Sequence, residues 1–134
     1  MPILHFTHTH DYSHSAGIEV PVRLGVSGRR PLWIHAKVDT GASFCIFRRE
    51  YAEELGLSVE DGPSLEISTA TGHFTVFGHT VQMECLGYSF ESFLYFAGHE
   101  GFRRDVLGRV GWLNRFRIGI VEHDTHLYLS AYDE

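Results

Sequence analysis

Between residues 18 and 39 the chain alternates almost without a break. In IEVPVRLGV (18–26), Ile18, Val20, Val22, Leu24 and Val26 fall on one face. In LWIHAKVD (32–39), Leu32, Ile34, Ala36 and Val38 fall on one face, and Trp33, His35, Lys37 and Asp39 on the other. A period of two matches a strand that buries one face, and no helix can present that pattern as a single stripe. SGRRP (27–31) supplies a turn between the two runs. Pro21 has no N–H to give to a ladder, so the first strand is expected at a sheet edge or at a bulge.

The rest of the chain continues in kind. FCIF (44–47) is a short β-prone run, and RREYAEELGL (48–57) is the best helix, with Gly56 as its C-terminal stop. LEISTATGHFTVFGHTVQMEC (65–85) reads as a long hairpin with its tip near Ala70–Gly72. SFESFLYFA (89–97) is a further strand. DVLGRVGWLNRF (105–116) reads as a short strand, a glycine and a short helix, and RIGIV with THLYLSAY closes the chain as a hairpin. The expected fold class is therefore all-β with one or two short helices. One domain over 1–134 is expected, with 1–17 as a polar N-terminal segment.

Composition bounds the function. A net charge of −6 leaves no electrostatic footprint for nucleic acid. No apolar run approaches the roughly 20 residues that span a bilayer, and the N-terminus lacks the basic and apolar regions of a signal peptide. The two cysteines, Cys45 and Cys85, read as free thiols in a reducing compartment. A cytoplasmic protein with no nucleic-acid and no membrane partner is the expectation.

The alternation ends at Asp39-Thr40-Gly41. A carboxylate at a strand end, followed by a glycine, allows a tight turn that presents the carboxylate outside the sheet, and the Thr40 hydroxyl can hold that turn by bonding to backbone. With an apolar strand before it and Ala42-Ser43 after it, VDTGAS resembles the active-site motif of aspartic proteases, and its single copy in a short chain resembles the retropepsin family. The second element of that family, two aliphatic residues and a glycine before a helix, is matched by Val106-Leu107-Gly108-Arg109. The hairpin at 65–85 lies between the two, where such proteases carry their flap. Two departures stand out. Val110 follows Arg109 where retroviral members usually have an acidic residue or Asn, and Ser43 stands where they often place an acidic partner for that arginine.

The resemblance implies a closed β-barrel or sandwich with a flap hairpin, peptide hydrolysis without a cofactor, and a homodimer. Two carboxylates about 3 Å apart repel by roughly 5 kcal/mol at an effective dielectric of 20, so such a pair holds one proton between them near neutrality. The ionised member activates a water and the protonated one polarises the scissile carbonyl. None of Asp11, Asp61, Asp105, Asp124 and Asp133 is followed by Thr-Gly or Ser-Gly, so the second carboxylate is expected from Asp39 of another copy across a two-fold axis. Asp39, Thr40 and Gly41 are the expected catalytic residues. Ala42, Ala70, Thr71, Gly72 and Val106 are expected to contact a peptide or protein substrate, with the 70–72 tip as a mobile lid. Trp33, Phe74 and Phe77 serve either as pocket walls or as ordinary sheet packing.

Two other readings remain open on the residues alone. The lost acidic partner for Arg109 suits a non-catalytic module that keeps the fold and binds peptides or another protein. HFTHTHDYSH (5–14) gathers His5, His8, His10 and His14, and His8 and His10 would share a face on a strand. No Cys-x-x-Cys or His-Glu-x-x-His accompanies them, so a solvated segment without a metal is expected there.

Overall fold

The computed structural model describes all 134 residues. It is mostly sheet, with 49% strand and 11% helix. The strands are β1 (His8–Asp11), β2 (Glu19–Gly25), β3 (Leu32–Val38), β4 (Ile46–Phe47), β5 (Ser64–Thr69), β6 (Gly72–Cys85), β7 (Tyr88–Ala97), β8 (Val106–Leu107), β9 (Phe116–Val121) and β10 (His126–Ala131). The one α-helix, α1, spans Arg49–Glu54.

Six strands close on themselves in the order β2-β3-β8-β4-β7-β6, and β6 returns to β2 through Val22↔Cys85 and Leu24↔Met83. β5 hangs outside this ring, paired only with β6. Closure removes the free edges that an open sheet would leave. The alternation explains the interior. Val20, Val22 and Leu24 of β2 and Ile34, Ala36 and Val38 of β3 point inward, and Val81, Met83, Leu94 and Phe96 meet them from β6 and β7 in one apolar cluster. Pro21 sits where β2 is paired on one side only, because the ladder to β6 begins at Val22, so its missing N–H leaves no neighbour unpaired.

α1 buries Ala52, and its C-cap residue Leu55 is buried with it. It stops at Gly56, which adopts φ +75° while its N–H reaches the Glu53 carbonyl and the Leu57 N–H reaches that of Ala52. This paired closure is the Schellman end that glycine permits.

Three expectations are corrected. The N-terminal segment is not wholly solvated: β1 pairs with β10 through Thr9↔Tyr128, and β1, β10 and β9 form a second sheet. Tyr12 is buried behind it and donates from its hydroxyl to Glu122 at 2.6 Å. His10 spends a ring nitrogen on the Glu19 carbonyl at 2.8 Å, and His8 packs edge-on against Tyr88. The run at 44–47 is strand only from Ile46, because Phe44 forms an isolated bridge to Val110. The helix after Gly108 shrinks to a 3-10 turn, Leu113–Arg115, since the preceding Trp112 is fully buried in the core rather than laid on a helical face.

A tight backbone approach lies where β8 leaves the ring. A Cβ on Gly108 would stand 2.2 Å from the Phe44 carbonyl oxygen and 2.8 Å from that of Ala42. Both obstacles are backbone, so neither can swing aside. Gly108→Ala is expected to lose about 3 kcal/mol of stability through overpacking. Gly28→Ala, in open space at φ +80°, is expected to lose only about 1 kcal/mol through backbone strain. Urea denaturation of the two variants side by side checks the contrast, and equal losses would show that the crossing is not tight.

Both cysteines are free and buried, and burial pushes each thiol up to about 12. The fold therefore holds both as neutral thiols, whereas in the unfolded chain they ionise near 8.5. Raised folded-state values stabilise the fold below about pH 8.5, and that contribution is lost as pH rises toward 12. The urea midpoint should fall between pH 8 and pH 9.5, before tyrosines begin to ionise, and Cys85→Ala should make that fall smaller. A midpoint that stays level over this interval would contradict the buried-thiol account.

Candidate active site

β3 carries Asp39 to the rim of the barrel and stops there. Lys37 N–H bonds to the Asp105 carbonyl at 2.9 Å and Asp39 N–H to the Leu107 carbonyl at 3.0 Å, so β8 clamps the strand up to the carboxylate itself. The chain then turns: Ala42 N–H returns to the Asp39 carbonyl at 3.1 Å, and Gly41 N–H donates to Asp39 Oδ1 at 2.9 Å. Gly41 is absent from the positive-φ residues. What it supplies is space, since a Cβ there would press on Asp39 Oδ1 at 3.3 Å. The carboxylate is thus anchored by one oxygen and left exposed by the other.

The outgoing loop is held by the segment after β8. Arg109 N–H donates to the Ala42 carbonyl at 2.8 Å and Val110 N–H to that of Ser43 at 2.9 Å. Beneath both segments lies Cys45. Its Sγ accepts from Gly108 N–H at 3.4 Å and its thiol donates to the Val110 carbonyl at 3.6 Å. The two sequence motifs, far apart in the chain, are one hydrogen-bonded unit.

Three hollows surround this loop. One of about 360 Å³ lies between Gly41, Ala42, Ser43, Phe44 and Ile46 on one wall and Glu66, Ile67 and Ser68 of β5 on the other. A second, of about 300 Å³, holds Asp39 and Val106 with Lys37, Arg104 and other charged side chains. A third, of about 560 Å³, opens on the far side, where Thr40 and Ser43 face Arg109, Val110 and Leu113.

Asp39, Gly41, Ala42 and Val106 therefore fall together at this site. Thr40 is adjacent but faces the third hollow, and its hydroxyl makes no hydrogen bond within the chain, contrary to the backbone-bracing role expected of it. Ala70, Thr71 and Gly72 are exposed at the hairpin tip and line none of the three hollows. The arm of the hairpin reaches the loop instead, through Glu66, Ile67 and Ser68. Alternation within β5 marks Leu65 and Ile67 as sharing a face, and that was the available signal for Ile67. Trp33 lies at the opposite end of β3 from Asp39 and is exposed, so it does not line these hollows. Phe74 stacks on Phe102 at 5.1 Å, beside His99. Arg109 is exposed and makes no ion pair.

Asp105 is the carboxylate nearest in sequence to the second motif, and it is already engaged. It is buried, accepts from Arg48 N–H at 3.2 Å and faces Arg48 Nε at 3.4 Å. Burial raises its proton affinity more than these contacts lower it. It is a structural acid, tied to the start of α1.

Comparison with known proteins places this geometry. No curated protein matches the sequence. Among solved structures, a retropepsin-like aspartic protease from Rickettsia conorii is similar, with a TM-score of 0.61, 22% identity, and coverage of 84% of this chain and 89% of that one. The EIAV protease in complex with the inhibitor HBY-793 is similar with a TM-score of 0.55, 18% identity, and coverage of 75% and 88%. At these identities the likeness shows a shared fold. The family model described as aspartyl protease matches residues 20–90, more than half of the chain, and takes in β2, β3, the Asp39 loop and the whole β5–β6 hairpin. With the fold of the retropepsin-like structures, the chain belongs to the aspartyl protease family.

Proposed function

We propose that this protein is an aspartic endopeptidase whose site is completed by a second copy of the chain. The observation that carries this reading is a single exposed carboxylate, Asp39, anchored by Gly41 N–H in a loop held by the segment after β8, with no second carboxylate supplied by the loop or by that segment. Asp105 is committed to Arg48. A second Asp39 across a two-fold axis supplies the missing acid. The pair shares a proton. One carboxylate takes a proton from a water held between them, while the other donates to the scissile carbonyl oxygen.

The surroundings suit this division. Thr40 has an unpartnered hydroxyl on the open side of the loop, beside the exposed Val110 and Arg109, and this is the face a second copy would cover. The hollow between the loop and β5 suits an extended peptide, whose backbone would pair with the outer edge of β5 while its alternate side chains enter pockets. The exposed tip at Ala70–Gly72 would close over that peptide and exclude water. A Cβ on Gly72 would touch nothing within 4 Å, so nothing packs against the tip at this position in the free chain.

A second reading rests on Arg109, which has no partner in the chain: the same fold binding peptides without cutting them. One substitution separates the two. Asp39→Asn keeps the side chain's shape and removes its acid–base chemistry. It should abolish cleavage of an unfolded protein substrate, while sedimentation velocity shows a dimer like that of the unmodified protein. More than a few per cent of residual cleavage would remove Asp39 from the mechanism. Binding of a statine-type peptide by an unmodified protein that cuts nothing would favour the second reading.

A further inference from the structure

The hollow that contains Asp39 carries an unusual charge for an acidic protein. Lys37, Arg48, Arg103 and Arg104 all line it, against Glu19, Asp105 and Asp39 itself, with His35 also on its wall. The chain as a whole has a formal charge of −6, so this concentration of cations is local. Two of the four are compensated. Arg48 is held by Asp105 at 3.4 Å and by Glu50 at 3.6 Å, and Arg103 by Glu50 at 3.6 Å from an exposed position where such a pair is weak. Lys37 and Arg104 have no carboxylate within ion-pair distance, although Glu19 stands opposite Lys37 in the β2–β3 register.

Position gives the charge a meaning. Lys37 and Asp39 are two residues apart on the outward face of one strand, roughly 6.5 Å at the usual rise. An extended peptide places alternate side chains at the same spacing. A substrate side chain one or two residues from the bond held at Asp39 would therefore meet Lys37 and Arg104. An anionic substrate side chain there would otherwise face only the negative charge of the catalytic pair and of Glu19.

We propose that this hollow selects acidic side chains, so that the enzyme prefers peptides with Glu or Asp within two residues of the scissile bond. The inference rests on the endopeptidase reading above and names its substrate class. A two-fold axis through the site repeats the hollow on the other side of the bond, so the preference applies on both flanks. Lys37 and Arg104 act as specificity residues. They attract the carboxylate and take no part in the proton transfers.

The test uses paired peptides that differ only in Glu against Gln at those positions, in about 50 mM salt at pH 6.5, where the peptide glutamate is ionised. The Glu peptide should show roughly tenfold higher kcat/KM, a ratio that shrinks in 1 M salt as the charges are screened. The ratio should approach one in Lys37→Gln/Arg104→Gln. Because it is taken within each enzyme, a general loss of activity in the variant does not disturb it. A ratio of one in the unmodified enzyme, or an unchanged ratio in the variant, would overturn the proposal while leaving peptide hydrolysis intact. Calorimetric binding of both peptides to Asp39→Asn separates the remaining cases. Preferential binding of the Glu peptide, with neither peptide cut by the unmodified protein, would uphold the hollow and reject the catalysis. Equal binding of the two, or no binding, would overturn the hollow.

Discussion

Everything at the site depends on two backbone segments crossing in contact. Gly108 passes against the carbonyls of Ala42 and Phe44, with no room between them for a methyl group. That approach lets Arg109 and Val110 donate to the carbonyls of Ala42 and Ser43, and those bonds fix the loop whose first residue is Asp39. Cys45 sits under the crossing with a neutral thiol that accepts from the Gly108 N–H and donates to the Val110 carbonyl, so even its chemistry serves geometry. The Asp39 carboxylate is held in place by the bonded crossing beneath it.

That rigidity ends at the loop's open face. Thr40, Arg109 and Val110 are exposed there, and two of them carry polar side chains with no partner inside the chain. A lone carboxylate has no second acid with which to share a proton. On the proposed reading, a second copy of the chain would cover these open polar groups and the exposed Val110 and would bring a second acid to Asp39. In that arrangement the proposed cationic hollow would face the substrate rather than the partner.

Local patterns were enough for most of the barrel. The alternation of Val20, Val22 and Leu24, and of Ile34, Ala36 and Val38, identified inward faces that the structure keeps, because a strand's face depends only on its immediate neighbours. Asp39-Thr40-Gly41 and Val106-Leu107-Gly108 could be paired only through the family resemblance, since nothing in either triplet says that the other lies beneath it. What stayed hidden was long-range. His8–Asp11 becomes a strand because β10, at the far end of the chain, offers it an edge. Phe44 leaves the ladder because it bridges to Val110 instead. The β5 arm, rather than the hairpin tip, borders the loop, a juxtaposition of segments about 25 residues apart. Lys37, Arg103 and Arg104 gather only because β3 lies beside β8, with the 103–104 segment leading into it.

The central claim is that each site takes one Asp39 from each of two chains. Mixing unmodified protein with increasing amounts of Asp39→Asn, after unfolding and refolding the two together, tests it most directly. Mixed dimers would hold only one carboxylate and should be inactive, so the fraction of sites that cut should fall as the square of the unmodified fraction. A fall in direct proportion to that fraction would show that each chain works alone, and would contradict the account.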